Sequence, residues 1–120
     1  MIWCIKLFKG HLITGDSQGE LCIWDEKFGT MVKSFKNLQS DILTLAVSES
    51  FNSVYASGVD SRVLNVMFLE DTEDWVVSSI YRAQSHDVKV LLLLSPSQLL
   101  SAGVTTDLCL YRLYDGRFKD

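Results

Sequence analysis

Three short segments of this chain echo one another at a spacing of about 44 residues. They read Ile13-Thr14-Gly15-Asp16-Ser17, Ala56-Ser57-Gly58-Val59-Asp60-Ser61 and Ser101-Ala102-Gly103-Val104-Thr105-Thr106. Each follows a short apolar run and precedes another: Leu21-Cys22-Ile23-Trp24-Asp25, Val63-Leu64-Asn65-Val66-Met67-Phe68 and Leu108-Cys109-Leu110-Tyr111. A fixed period of this size marks an array of like units. No single unit can bury its apolar face alone, so the core must lie between neighbours.

Each unit reads as strand, turn, strand, turn, strand, turn, strand. The strands are near-continuous apolar runs, as expected of sheets covered on both faces. The first unit has strands at 2–8, 11–14, 20–24 and 31–35, with Gly19 and Gly29 placed where tight hairpins need positive φ. The second has strands at 41–47, 54–57, 63–69 and 75–81. An acidic insertion, Glu70-Asp71-Thr72-Glu73-Asp74, precedes the last of these. The third has strands at 87–94, 99–102 and 108–113, and its fourth strand is expected to be missing. No stretch carries the 3.6-residue period of a long helix. The fold class is therefore all-β, with units at about 1–36, 37–82 and 83–113 acting as blades of a β-propeller. Propellers close with four to eight blades, so about three imply an incomplete ring, part of a larger propeller.

Composition is that of a folded protein, with 48% hydrophobic residues and one proline in 120 residues. The net charge of −4 comes without any run of Lys or Arg, which disfavours a direct grip on a nucleic-acid backbone. Cys4, Cys22 and Cys109 are odd in number and lack zinc or redox spacing, so buried, reduced thiols are expected. The apolar stretches at 1–8 and 91–94 are too short to span a membrane, and no membrane role is expected.

At residues 15–25 and again at 58–68 the chain resembles the WD-repeat family. It is similar in particular to a WD-repeat subunit of the small-subunit processome. The resemblance runs over residues 11–113 through Asp41-Ile42-Leu43-Thr44-Leu45-Ala46-Val47, Ala56-Ser57-Gly58-Val59-Asp60-Ser61, Trp75-Val76-Val77-Ser78-Ser79 and Ser85-His86-Asp87-Val88. It implies a non-enzymatic nucleolar scaffold in processome assembly, pre-rRNA processing and ribosome biogenesis. Its partners would be other processome proteins, with pre-rRNA contacted mainly indirectly. The alternative is another WD-repeat interaction scaffold, such as a ubiquitin-ligase substrate receptor. Only Trp24-Asp25 keeps the Trp-Asp pair. The His–Ser–Asp–Trp hydrogen-bond network of many blades is incomplete in every unit, so apolar burial must carry the blade packing.

Little in the chain suggests chemistry. Gly10-His11 sits at the second strand rather than ahead of the first, out of place for the family's Gly-His pair. Ser85-His86-Asp87 holds the residue types of a hydrolytic triad, but adjacent residues cannot converge on one point. No catalytic residue, metal ligand, cofactor or small-molecule substrate is expected. Trp3, Trp24 and Trp75 are expected in the core. The sharpest binding candidate is the acidic tip, Glu70, Asp71, Glu73 and Asp74, as a dock for a basic partner segment.

Overall fold

The computed structural model describes residues 1–60, 62–82, 87–103 and 108–118. Twelve strands form three antiparallel four-stranded sheets. Blade 1 comprises β1 (Ile2–Phe8), β2 (His11–Asp16), β3 (Leu21–Asp25) and β4 (Met31–Phe35). Blade 2 comprises β5 (Ile42–Ser48), β6 (Ser53–Gly58), β7 (Arg62–Leu69) and β8 (Asp74–Arg82). Blade 3 comprises β9 (Val88–Ser95), β10 (Gln98–Gly103), β11 (Leu108–Tyr114) and β12 (Arg117–Phe118). Strand order follows chain order in each sheet, and the first strands β1, β5 and β9 lie beside one another.

The turns follow from residue type. Lys9 and Gly10 join β1 to β2 with φ of 43° and 80°, the paired positive values of a type I′ hairpin. Gly19 and Gly29 take positive φ at the positions expected. A fourth strand in blade 3 does form, against expectation. Asp115 and Gly116 turn the chain with φ of 51° and 81°, and Arg117 and Phe118 pair with Tyr114 and Leu113. The apolar pattern hid this strand because only two residues take part.

The core lies between the blades. Phe8, Ile13, Leu21 and Ile23 of blade 1 are fully buried against Val54, Ala56, Leu64 and Val66 of blade 2. On the other side of blade 2, Ala46, Tyr55 and Val63 meet Val88, Leu91, Leu99 and Tyr111 of blade 3. Each Leu or Ile so buried contributes about 1.5–3 kcal/mol. The second blade therefore buries alternate residues on opposite faces, which its near-continuous apolar strands predicted.

The register corrects one detail of the repeat. Aligning Gly15 with Gly58 matches Ile13 to Ala56, yet Ile13 points forward to blade 2 and Ala56 points back to blade 1. A one-residue slip inverts every side chain of a strand. Counted from the hairpin, Leu12↔Trp24, Val54↔Val66 and Leu99↔Tyr111 are the matching pairs. Asp16, not Gly15, then corresponds to Gly58 and Gly103.

Candidate functional site

The acidic insertion folds as the hairpin tip between β7 and β8, and all four carboxylates are exposed. Two of them turn back onto blade 1. Glu70 Oε1 accepts from Lys9 Nζ and from Asn52 Nδ2, each at 3.1 Å. Asp74 Oδ1 accepts from its neighbour's backbone, Trp75 N–H, at 2.8 Å and from Lys33 Nζ at 3.1 Å. The hydrogen bond from Lys9 holds the Glu70 carboxyl below its ordinary pKa, with Asn52 adding to the effect. For Asp74 the Trp75 amide does most, followed by Lys33. Asp71 and Glu73 form no ion pair among the described residues. The tip thus presents two free carboxylates braced by two that are already held.

Beneath this tip an aromatic group seals blade 1 to blade 2. Trp75 lies 5.4 Å from Phe8, 5.6 Å from His11 and 4.9 Å from Phe68, centroid to centroid. His11 is therefore a packing residue, and its Nδ1 and Trp75 Nε1 are buried without a partner. Of the three tryptophans expected in the core, Trp24 is half-buried and Trp75 is in the core, at 1% exposed. Trp3 is not: it is 49% exposed and donates its indole N–H to Asp41 Oδ2 at 2.8 Å.

A different cluster marks the loops at the other end of the strands. Arg62 donates through Nε to Asp60 Oδ1 at 2.6 Å and through Nη2 to Asp60 Oδ2 at 2.8 Å. Asp60 also accepts from the Gln39 amide at 2.7 Å. Arg62 above all, then the Gln39 amide, depresses the Asp60 pKa against the opposing effect of burial. Gln39, Asp60, Arg62 and Ile80 line an open cleft of about 540 Å³. The pairing leaves the arginine fork occupied, so the cleft carries little free charge.

Hydrogen bonds inside the blades are partial. Trp24 donates to Thr14 Oγ1 at 2.9 Å, and Ser101 and Tyr111 share a hydrogen bond of 2.8 Å at the matching positions. Blade 2 places Ala56 and Val66 there and has only apolar contact. Instead, its Ser53, Tyr55 and Asn65 all donate to the Gly116 carbonyl of blade 3. Composition gave no signal for that latch, since it joins a core face to a turn 51 to 63 residues away.

Cys4, Cys22 and Cys109 are free thiols. Burial raises the Cys4 pKa to about 11. Burial first, then the hydrogen bond to Glu20, takes Cys22 to about 12. Asp16, Glu20 and Cys22 bring ligand-type atoms within 4.8 Å of one another. Local bonds account for that grouping: Asp16 accepts from the Gln18 and Glu20 amides, and Cys22 donates to Glu20. Ser85 and His86 lie outside the described residues, as do Ser61 and Thr105.

No protein-family model matches the chain. It is 34% identical over 92 residues to U3 small nucleolar RNA-associated protein 4 of Schizosaccharomyces pombe, covering 76% of this chain and 13% of that protein. It is 27% identical over 121 residues to the mouse homologue of the same name, covering 96% of this chain and 18% of that one. The chain thus spans less than a fifth of the length of these relatives. Among solved structures, the RRP9 WD40 repeats superpose with a TM-score of 0.79 at 16% identity, covering 98% of this chain and 36% of that one. The computationally designed Ika4 protein superposes with a TM-score of 0.80 at 16% identity, covering 94% and 66%. Three four-stranded sheets in this order, with first strands side by side, are a three-blade stretch of an open WD40-type β-propeller.

Proposed function

We propose that this chain is a docking scaffold of the small-subunit processome, corresponding to part of a cirhin-type WD-repeat subunit. It would act in the nucleolus, in processome assembly, pre-rRNA processing and ribosome biogenesis. The observation that carries the reading is the similarity over three quarters of the chain to a protein named for association with U3 small nucleolar RNA. A further support is the form of the surface. It offers hairpin tips and blade edges, and three ion pairs among the described residues hold some of its charged groups in place.

The mechanism is presentation of several faces to protein partners at once, without chemistry on a substrate. The acidic tip is one such face. Glu70 and Asp74 hold the hairpin against Lys9 and Lys33, so Asp71 and Glu73 stand at a fixed place for a basic segment. A net charge of −4 makes contact with pre-rRNA through other proteins the economical route.

Expression of the tagged chain in cultured cells, with imaging and RNA capture, tests this. Nucleolar signal together with enrichment of U3 small nucleolar RNA is expected. Diffuse signal with soluble, folded protein and no enrichment contradicts the proposal.

A further inference from the structure

Blade 2 has blade 1 on one face and blade 3 on the other, so the exposure of its outer edge does not come from the ends of the chain. That edge is β8, last in the order β5-β6-β7-β8. An edge strand presents a row of unpaired N–H and C=O groups. Folded proteins usually guard it with short length, proline or charge, above all lysine. Blade 1 follows that rule, since its edge strand β4 has five residues with Lys33 at the centre. β8 does not. It has nine residues, and the stretch 75–81 between Asp74 and Arg82 includes neither a charged residue nor a proline. Its one irregularity is a bulge at Ser78, which the register leaves without a partner on β7.

The side chains along this edge suit an extended occupant. Trp75, Val77 and Ile80 oppose Phe68, Val66 and Leu64, which all pack in the core shared with blade 1. Trp75 is buried there, while Val77 and Ile80 are 37% and 38% exposed and leave an apolar strip along the strand. At one end of the strip stand Asp71 and Glu73, exposed and outside the ion pairs that hold Glu70 and Asp74. Main-chain pairing supplies affinity, the strip takes alternate apolar side chains, and the two carboxylates select a basic end.

We propose that β8 takes an extended, basic segment of a partner protein as a fifth strand of blade 2, with the basic end of that segment on Asp71 and Glu73. This rests on the docking reading above for the nature of the partner, and adds where and how its backbone is held.

The test uses the intact protein and a fluorescent peptide of alternating lysine and valine, with binding read by anisotropy. The peptide should bind, and should slow hydrogen exchange at amides within residues 75–81. The same peptide N-methylated throughout keeps its charge but donates no main-chain hydrogen bond, and should bind about tenfold more weakly. Val77→Ser with Ile80→Ser should also weaken binding about tenfold. Asp71→Ser with Glu73→Ser should weaken it and flatten its salt dependence. Equal binding of the two peptides, or protection confined to the tip, overturns the proposal, since charge alone then holds the segment. So does failure of the unmethylated peptide to bind, or binding unchanged in either double variant. Protection of β8 that appears without peptide and grows with protein concentration also overturns it, by placing a second copy on the edge. These readouts are independent of nucleolar signal and RNA enrichment, so failure here is told apart from failure of the processome reading.

Discussion

Trp24 on β3 donates its indole N–H to Thr14 Oγ1 on β2 at 2.9 Å. The bond ties the two middle strands of blade 1 together. Thr14→Val keeps the shape and removes the acceptor. It should cost about 1 kcal/mol, the usual worth of one neutral hydrogen bond. Equilibrium urea unfolding measures it, and an unchanged midpoint with unchanged slope would mean the bond is idle.

Gly116 gives a sharper test of the latch between blades 2 and 3. Its φ is +81°, and an added Cβ would stand 2.3 Å from Ser53 Oγ and 2.8 Å from Phe51 Cβ. Gly29 has a similar φ of +68° but nothing within 4 Å of an added Cβ. Gly29→Ala should therefore lose only the backbone cost, about 1–2 kcal/mol. Gly116→Ala should lose that and the three hydrogen bonds to its carbonyl, about 3 kcal/mol or more in all. Equal losses by urea unfolding would show that the latch contributes nothing.

Acid should loosen the clasp of the tip on blade 1 and the Asp60–Arg62 pair within blade 2. Glu70, Asp74 and Asp60 all have folded pKa values below their ordinary values of 4.5, 3.8 and 3.8. A carboxyl depressed in the folded state adds stability above its unfolded pKa and loses it as pH falls through the folded one. Stability should hold near neutrality and decline below about pH 4.5, through the range where these groups protonate. Asp60→Asn, which removes the bidentate partner of Arg62, should cost about 2 kcal/mol at pH 7 and flatten the acid decline. A variant whose acid decline matches the wild type would exclude Asp60 as a source.

Cys4 and Cys22 should resist thiol reagents in the native protein. Their pKa values, raised to about 11 and about 12, leave almost no thiolate at pH 8. Titration with a chromogenic disulfide should label both only after denaturant is added. Rapid labelling of either in the native state would contradict the burial described.

Much of the fold was legible because its signals are local. Hydrophobic runs gave strands β1–β11, and Gly19 and Gly29 gave their turns. Strand β12 escaped because two residues carry no periodicity, and its evidence is the Asp115-Gly116 turn. The echo at Gly15 and Gly58 misled by one residue, since a shared glycine does not fix which face a neighbouring side chain takes. Trp3 was expected inside because its neighbours are apolar, yet β1 faces the uncovered end of the stretch. At the acidic tip, exposure was legible but the clasp by Lys9 and Lys33 was not. Those lysines come from the other blade, 61 and 41 residues away.

The central claim is that this chain works by docking to proteins, with RNA reached through them. Affinity capture from nucleolar extract, with and without ribonuclease, tests it most directly. The account predicts the same set of processome proteins in both captures, with U3 small nucleolar RNA present only in the untreated one. Loss of those proteins on ribonuclease treatment, or their absence from both captures, would contradict it.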